Sequence, residues 1–291
     1  MPKPQPHITN LSEVAMPAII AAFAEAFSDY AVTFDPAQTE AMLTRRGLCP
    51  ELSFAAWEDG RIVAFTLTGT GTFRSIATCY DCATATIPSR RGLGLGGALF
   101  RHALPHLAAS GARQYLLEVL TTNERAIALY TGAGFSRDTL YLCYGGDTAL
   151  SLPHGVCPPA GISLRPIDPG VLHGCATFTD FTPSWQNSFE SIERGAGNLV
   201  MTGAFDNCQG RCVGYCVADP ATGDISQIAV DQTMRRRGIG RAMLSAMAPE
   251  LLTGRFKLLN IDEHCHSLLA FLDALGIERG LSQYAMLRPL P

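Results

Sequence analysis

Apolar and polar positions follow two rhythms along this chain, one of period two and one near 3.6, and the two occur in the same order twice. In the first half, Pro17–Phe27 carries apolar residues at helical spacing and predicts an amphipathic helix. Leu52–Trp57 and Ile62–Thr68 are short apolar runs joined through Asp59-Gly60, the pattern of two strands and a tight turn. Ile76–Ile87 predicts a third strand. A glycine-rich turn then opens a helix to about Leu107, which Ser110-Gly111 ends. Gln114–Val119 predicts a strand, Asn123–Ala133 a helix with Gly134 at its C-terminal cap, and Leu140–Cys143 a closing strand. The second half repeats this order. It predicts strands at Leu199–Ala204, Val213–Val217 and Ile225–Val230, a helix from Gly240, a strand at Lys257–Ile261, a helix over Ser267–Leu275 and a strand at Tyr284–Leu287. Strands before helices in each half point to an α/β or α+β fold with a mixed sheet.

The repeat extends to particular residues. Both halves contain Arg-x-x-Gly-x-Gly, as Arg91, Gly94, Gly96 and as Arg235, Gly238, Gly240, and a proline follows each arginine at the same distance, Pro105 and Pro249. A period near half the chain predicts two similar domains rather than a solenoid. The Gly- and Pro-rich stretch from Tyr144-Gly145-Gly146 to Pro158-Pro159-Ala160-Gly161 suits a connection. The expected division is therefore 1–147, a linker at 148–161, and 162–291.

Composition narrows the class. Of 291 residues, 47 % are hydrophobic and 16 % charged, which predicts a sizeable core and excludes a disordered chain. The formal net charge of −4 argues against a dedicated nucleic-acid binder. Ten cysteines are scattered over a long chain whose start, Met1-Pro2-Lys3-Pro4-Gln5-Pro6, carries no apolar leader. The apolar stretch Val14–Ala24 is interrupted by Pro17 and is too short to span a bilayer. These features predict a soluble cytoplasmic protein with reduced thiols and no membrane partner. Cys79-x-x-Cys82 falls in a predicted strand, where residues three apart face opposite sides, and His264-Cys265-His266 has no partner motif; no metal is expected.

The glycine turns carry the chemistry. The first amides of a helix lack intrahelical partners, the helix dipole favours an anion there, and glycine lets the backbone approach closely. Arg91 and Arg235 are placed to add charge-assisted bonds. The ligand expected is a pyrophosphate. Gly92, Gly94 and Gly97 also satisfy Gly-x-Gly-x-x-Gly, with Glu118 about 20 residues on, so a NAD(P)-dependent oxidoreductase is the alternative. Against it, the turn follows at least three strands, Met243 occupies the last glycine position in the second copy, and arginines precede both turns.

Beyond the turn stand Leu117-Glu118-Val119, then Asn123, Ala126, Tyr130, Gly134 and Phe135. With Arg91-x-x-Gly94-x-Gly96, the first half resembles the GNAT acetyltransferase superfamily, whose signatures are Arg/Gln-x-x-Gly-x-Gly/Ala after the fourth strand and Asn-x-x-Ala-x-x-x-Tyr followed by Gly-Phe. The resemblance implies two GNAT-like domains, each a mixed, mostly antiparallel sheet split in a V and flanked by helices. It implies direct transfer of an acetyl group from acetyl-CoA, a cosubstrate, to a primary amine on a small molecule or a protein. By resemblance, Thr86, Ile87, Arg91, Gly92, Leu93, Gly94, Leu95, Gly96, Gly97, Asn123, Ala126 and Tyr130 would hold the cosubstrate. Tyr130 would protonate the leaving sulfur, Glu118 is the candidate base, and a backbone amide near Thr86 or Ile87 would receive the oxyanion. Phe27, Asp29 and Tyr30 would build an acceptor wall, with Asp81 a second acidic candidate.

The second half keeps its turn, through Val230, Arg235, Arg236, Arg237, Gly238, Ile239 and Gly240. Placing Gly276-Ile277 on Gly134-Phe135 sets Asn260, Cys265, Leu268 and Leu272 opposite Glu118, Asn123, Ala126 and Tyr130. That half is expected to be degenerate, and a non-catalytic acetyl-CoA sensor or scaffold is the further alternative. The whole is expected as a monomer in which the halves mimic a dimer, or as a homodimer.

Overall fold

The computed structural model describes residues 7–29 and 35–291. The chain divides into two compact units, Met1–Asp138 with Tyr284–Pro291, and Thr139–Gln283. The first contains β1 (His7–Asn10), α1 (Met16–Ala26), α2 (Pro36–Arg45), β2 (Phe54–Glu58), β3 (Arg61–Phe73), β4 (Ile76–Thr86), α3 (Leu95–Ala109), β5 (Gln114–Leu120), α4 (Glu124–Gly132) and the start of β6 (Ser136–Asp147). The second holds the rest of β6, α5 (Thr148–Ser151), β7 (Ile162–Pro166), α6 (Pro169–His173), α7 (Phe189–Arg194), β8 (Val200–Asp206), β9 (Cys212–Asp219), β10 (Asp224–Val230), α8 (Ile239–Met247), β11 (Arg255–Asp262), α9 (His266–Ala274) and the start of β12 (Arg279–Pro289).

Each unit is a mixed sheet with the same order. In the first, β1 to β4 form an antiparallel meander, β4 pairs parallel with β5, and β12 lies beyond β5. In the second, β7 to β10 form the meander, β10 pairs parallel with β11, and β6 lies beyond β11. The last place in each sheet is thus filled by a strand that begins in the other half of the sequence. Residues 139–147 and 284–291 accordingly belong to the opposite unit from a linear division.

Local sequence explains the elements. Asp59 and Gly60 both have positive φ (49° and 76°), as a two-residue hairpin turn requires. β3 is buried almost throughout because α1 and α3 both pack on it. In α3, Leu95, Leu99, Phe100, Ala103 and Leu107 form the buried stripe. This helix runs through Pro105, whereas α8 ends at Met247 and Pro249 sits in a single 3-10 turn. Arg288 of β12 donates to the Ala133 carbonyl at the end of α4.

Several elements exceed the sequence expectations. β3, β6 and β12 all extend past the runs expected at 62–68, 140–143 and 284–287. α2 was not anticipated, although its start carries a full capping box: Asp35 accepts from the Gln38 amide (2.8 Å) and Gln38 accepts from the Asp35 amide (3.2 Å). Among the described residues, no helix is long and apolar enough to cross a membrane, and no group of three or more His, Cys, Asp or Glu is placed to hold a metal.

Candidate functional site

In the first unit, β4 and β5 pair over Thr78–Tyr80 with Gln114–Leu116, at their N-terminal ends. β4 then runs on to Thr86 and β5 to Leu120, which leaves a cleft toward the C-terminal ends of both strands. β4 also carries a bulge: Leu67 pairs with Ala83 and Thr68 with Asp81, so Cys82 is the extra residue. A bulge bends its strand and leaves one residue outside the ladder.

The turn after β4 adopts the geometry of an anion nest. Gly92 and Gly94 both have φ of +79°, and Gly94 is the left-handed cap that starts α3. Gly92, Leu93 and Gly94 are exposed and Leu95 is buried. A Cβ on Gly96 would approach Leu129 of α4 at 3.1 Å, so glycine here lets the two helices come together. The second unit repeats the geometry with Arg236 at +64° and Gly238 at +88°, and a Cβ on Gly240 would meet Phe271 at 3.3 Å.

The arginine that opens each motif is committed elsewhere. Arg91 makes a two-toothed pair with Asp29 (2.5 and 2.8 Å) and also bonds the Ala26 carbonyl (2.9 Å) and the Thr86 carbonyl (3.2 Å). Arg235 does the same with Asp180 (2.6 and 3.0 Å), Phe178 O (2.8 Å) and Val230 O (2.9 Å). Each guanidinium therefore ties a distant segment, 26–29 or 178–180, to the end of the strand that leads into its turn. The bond from Arg91 also holds the Asp29 carboxyl below its ordinary value. Asp29, expected at an acceptor wall, is the partner of Arg91, whose guanidinium is engaged in this clamp. Arg125 lies by the turn, its Nη2 3.8 Å from where a Cβ on Gly92 would be, and Arg101 lies by the first turn of α3, its Nη1 3.4 Å from a Cβ on Gly97. The Ile87 amide donates to the Val63 carbonyl (3.0 Å), so it is engaged in the sheet rather than open to an oxyanion. Phe27 packs on Phe23, and Tyr30 lies outside the described residues.

Asn123 caps α4 by accepting from the Ala126 amide (3.1 Å). Tyr130 follows two turns on, 8 % exposed, with its ring edge-on to Phe100 and Phe135. Its hydroxyl bonds Asp81. Asp81 is 7 % exposed, and the Thr84 hydroxyl lies 2.9 Å from its Oδ1. Burial pushes the Asp81 carboxyl up to about 7, against the opposing pull of Thr84, Arg46 and Tyr130. Glu118 on β5 accepts from the Tyr80 hydroxyl (3.1 Å). Arg46, just past α2, donates to the Cys82 carbonyl (2.7 Å). Burial alone disfavours its charge, but Tyr80, Cys82, Glu118 and Asp81 together hold it above its usual value. The Arg46 backbone comes so close that a Cβ on Gly69 would lie 2.2 Å from its carbonyl oxygen.

The structure thus joins Asp81 to Tyr130, sets Asp81 and Glu118 around Arg46, and adds Arg46 and Thr84, which sequence reasoning missed. Nothing in a lone Arg45-Arg46-Gly47 marks a charge that folds inward. Cys79 and Cys82 are buried, separate thiols; burial pushes Cys79 up to about 11.

The second unit differs where it matters chemically. β10 has the matching bulge at Ser226, which puts Ile225 in the place of Asp81. With Asn260 and Leu272 in the places of Glu118 and Tyr130, no ionisable group remains at those three positions. Instead, buried amides tie the cleft together: Gln227 donates to Asn187 O (2.5 Å) and accepts from Tyr215 (2.6 Å), and Asn187 donates to Leu259 O (2.8 Å). A cavity of about 20 Å³ lies there. Beside the turn, however, a cleft of about 400 Å³ opens between Arg236, Gly238, Arg241, Phe271 and Leu275.

A family model described as the acetyltransferase (GNAT) family matches residues 18–135 and 172–276. A mycothiol acetyltransferase of Cellulomonas flavigena is 36 % identical over 83 residues, 28 % of this chain and 24 % of that one. The ribosomal protein bS18 alanine N-acetyltransferase of Escherichia coli is 34 % identical over 89 residues, 31 % of this chain and 57 % of that one. The chain spans between 24 % and 57 % of the length of the curated relatives it matches. A tandem GNAT protein from the clavulanic acid biosynthesis pathway shares the fold over 99 % of both chains, with a TM-score of 0.73 at 16 % identity.

Proposed function

The chain belongs to the GNAT acetyltransferase family, and from that premise we propose that its first unit transfers the acetyl group of acetyl-CoA directly to a primary amine. The observation that carries this reading is the bond of Tyr130 to Asp81, with Asp81 and Glu118 around Arg46 on the strands that part, β4 and β5, and a glycine nest with Arg125 beside it. The exposed amides of Gly92, Leu93 and Gly94 receive the diphosphate, with Arg125 and Arg101 supplying charge. The pantetheine arm lies along β4 and pairs with it as an added strand would.

Attack requires a neutral amine, an acceptor for the proton it sheds and a donor for the carbonyl oxygen. Glu118 takes that proton, directly or through water. With the Ile87 amide engaged, another backbone amide of β4 receives the oxyanion. Tyr130 gives its proton to the sulfur as the thiol leaves. Transfer is direct, without a cysteine intermediate: Cys79 is buried, and its thiol is held at about 11.

The second unit binds acetyl-CoA or a related nucleotide thioester without transferring the group. Its cleft of about 400 Å³ at an intact turn favours binding, while Ile225, Asn260 and Leu272 replace the reacting set. Family membership sets the nicotinamide alternative aside. The reading places the protein in the cytoplasm as a monomer or homodimer, acting on a small-molecule or protein amine.

The test is free-thiol release from acetyl-CoA across a panel of amines: polyamines, amino acids, amino sugars and peptides with free N-termini or lysines. Amine-dependent thiol release with a matching acetylated product supports the reading. Its absence across the panel, with acetyl-CoA bound, converts the first unit to a sensor.

A further inference from the structure

Asp81 is bonded to Tyr130, whereas the sequence reading gives it only as a second acidic candidate for the acceptor wall. Its carboxyl is buried on β4, bonded to Tyr130 from α4 and to Thr84 from its own strand. The charged and titratable groups that face it are Arg46 past α2 and Tyr115 on β5, and Arg46 is in turn faced by Tyr80, Cys82 and Glu118. Thr84 continues the network to Thr66 (2.9 Å), and Thr66 to the Tyr115 hydroxyl (3.3 Å).

A hydrogen bond between a phenol and a carboxyl points one way at a time. When Asp81 is ionised, the Tyr130 proton is held on the carboxylate and is withdrawn from the cleft. When Asp81 is protonated, it donates to the phenol oxygen and leaves the Tyr130 proton free to point at the sulfur. We propose that protonated Asp81 is a positioning and proton-supplying residue, which hands its proton to Tyr130 as Tyr130 hands its own to the departing coenzyme A thiolate.

The inference rests on the acetyl-transfer reading above. The neutral amine forms the C–N bond, the C–S bond breaks and its electron pair passes to sulfur. The surplus nitrogen proton goes to Glu118, the phenolic proton to sulfur, and the Asp81 proton to the Tyr130 oxygen. Asp81 then regains a proton from solvent and Glu118 returns one, so neither charge nor atoms are left over. Energetically the relay corrects a mismatch. A phenol with an ordinary value near 10 protonates a thiolate of about 8.5 against the gradient. With burial holding the Asp81 carboxyl at about 7, the net donor is the stronger acid and the transfer runs downhill.

The experiment uses the full chain, acetyl-CoA and an amine that supports thiol release. It records kcat from pH 5.5 to 9.5 and acetyl-CoA affinity by calorimetry. The parent is expected to lose rate above an alkaline limb near 7. Asp81→Asn, which keeps the size and the bond to Thr84, is expected to lower kcat about 100-fold, bind acetyl-CoA within about threefold of the parent, and show no such limb. Thr84→Val removes a bond that favours the ionised carboxyl, so its limb shifts to higher pH; this second variant keeps the test decisive if Asp81→Asn does not fold. Glu118→Gln lowers the rate but keeps the limb. A parent without the limb, a limb that survives in Asp81→Asn, or one that Thr84→Val leaves in place overturns the inference while transfer stands. No thiol release with any amine instead sinks the transfer reading beneath it.

Discussion

Replacing Gly94 by glutamate tests the anion nest most sharply. Gly94 has φ of +79° and a Cβ there would meet nothing within 4 Å, so the site has room for a side chain but a backbone that resists one. The strain costs about 1–2 kcal/mol and is shared by alanine and glutamate. Only glutamate adds a negative charge at the start of α3. At about 5 Å from a phosphate, with an effective dielectric near 20, each charge pair is worth about 3 kcal/mol before screening, and salt takes away about half. Two phosphate charges then cost about 3 kcal/mol, or about 100-fold in affinity. Calorimetry with acetyl-CoA, in a Gly238→Glu background so that the second unit does not contribute, is expected to show Gly94→Ala within about tenfold of its parent and Gly94→Glu weaker by about 100-fold or more. A folded Gly94→Glu protein that binds within about threefold of its parent refutes the reasoning.

Three further outcomes follow from the same geometry. Gly238→Glu alone is expected to leave amine acetylation within about twofold of the parent in a thiol-release assay, because the reacting residues lie in the other unit. Gly69→Ala would set a Cβ 2.2 Å from the Arg46 carbonyl oxygen and 3.0 Å from Cys82 Sγ, and is expected to destabilise by about 1–3 kcal/mol in urea unfolding. Asp81 titrates near 7 when folded against an ordinary 3.8. The protonated carboxyl therefore favours the fold fully below about 4, and that contribution is lost as pH rises to about 7, by up to about 4 kcal/mol. The stability of Asp81→Asn relative to the parent is expected to rise from pH 5 to pH 8 in thermal unfolding.

Duplication, the glycine turns and the motif from Glu118 to Phe135 were legible because they are local: each is a spacing along one stretch of chain. Asn123 as a helix cap and Tyr130 facing inward follow from such spacing. What escaped depends on contacts across the fold. That Arg91 pairs with Asp29, 2.5 Å away and 62 residues earlier in the chain, is invisible in the motif itself. Asp81 reads only as a second acceptor-wall candidate, because its bond to Tyr130 and its closeness to Arg46 come from distant elements. The exchange of final strands escaped for a related reason. β6 and β12 have similar patterns, and nothing within either strand states which sheet it completes. α2 is a different case, since its capping box was present in Asp35-Pro36-Ala37-Gln38 and only the weak apolar pattern behind it hid the helix.

The central claim is that the first unit transfers acetyl groups with Tyr130 as the proton donor to sulfur. Tyr130→Phe keeps the ring that packs against Phe100 and Phe135 and removes one hydroxyl. Rapid-mix measurement of a single acetyl transfer, paired with calorimetric affinity for acetyl-CoA, is the most direct test. The account predicts unchanged affinity within about threefold and a transfer rate lower by at least about 100-fold. A rate equal to that of the parent contradicts it.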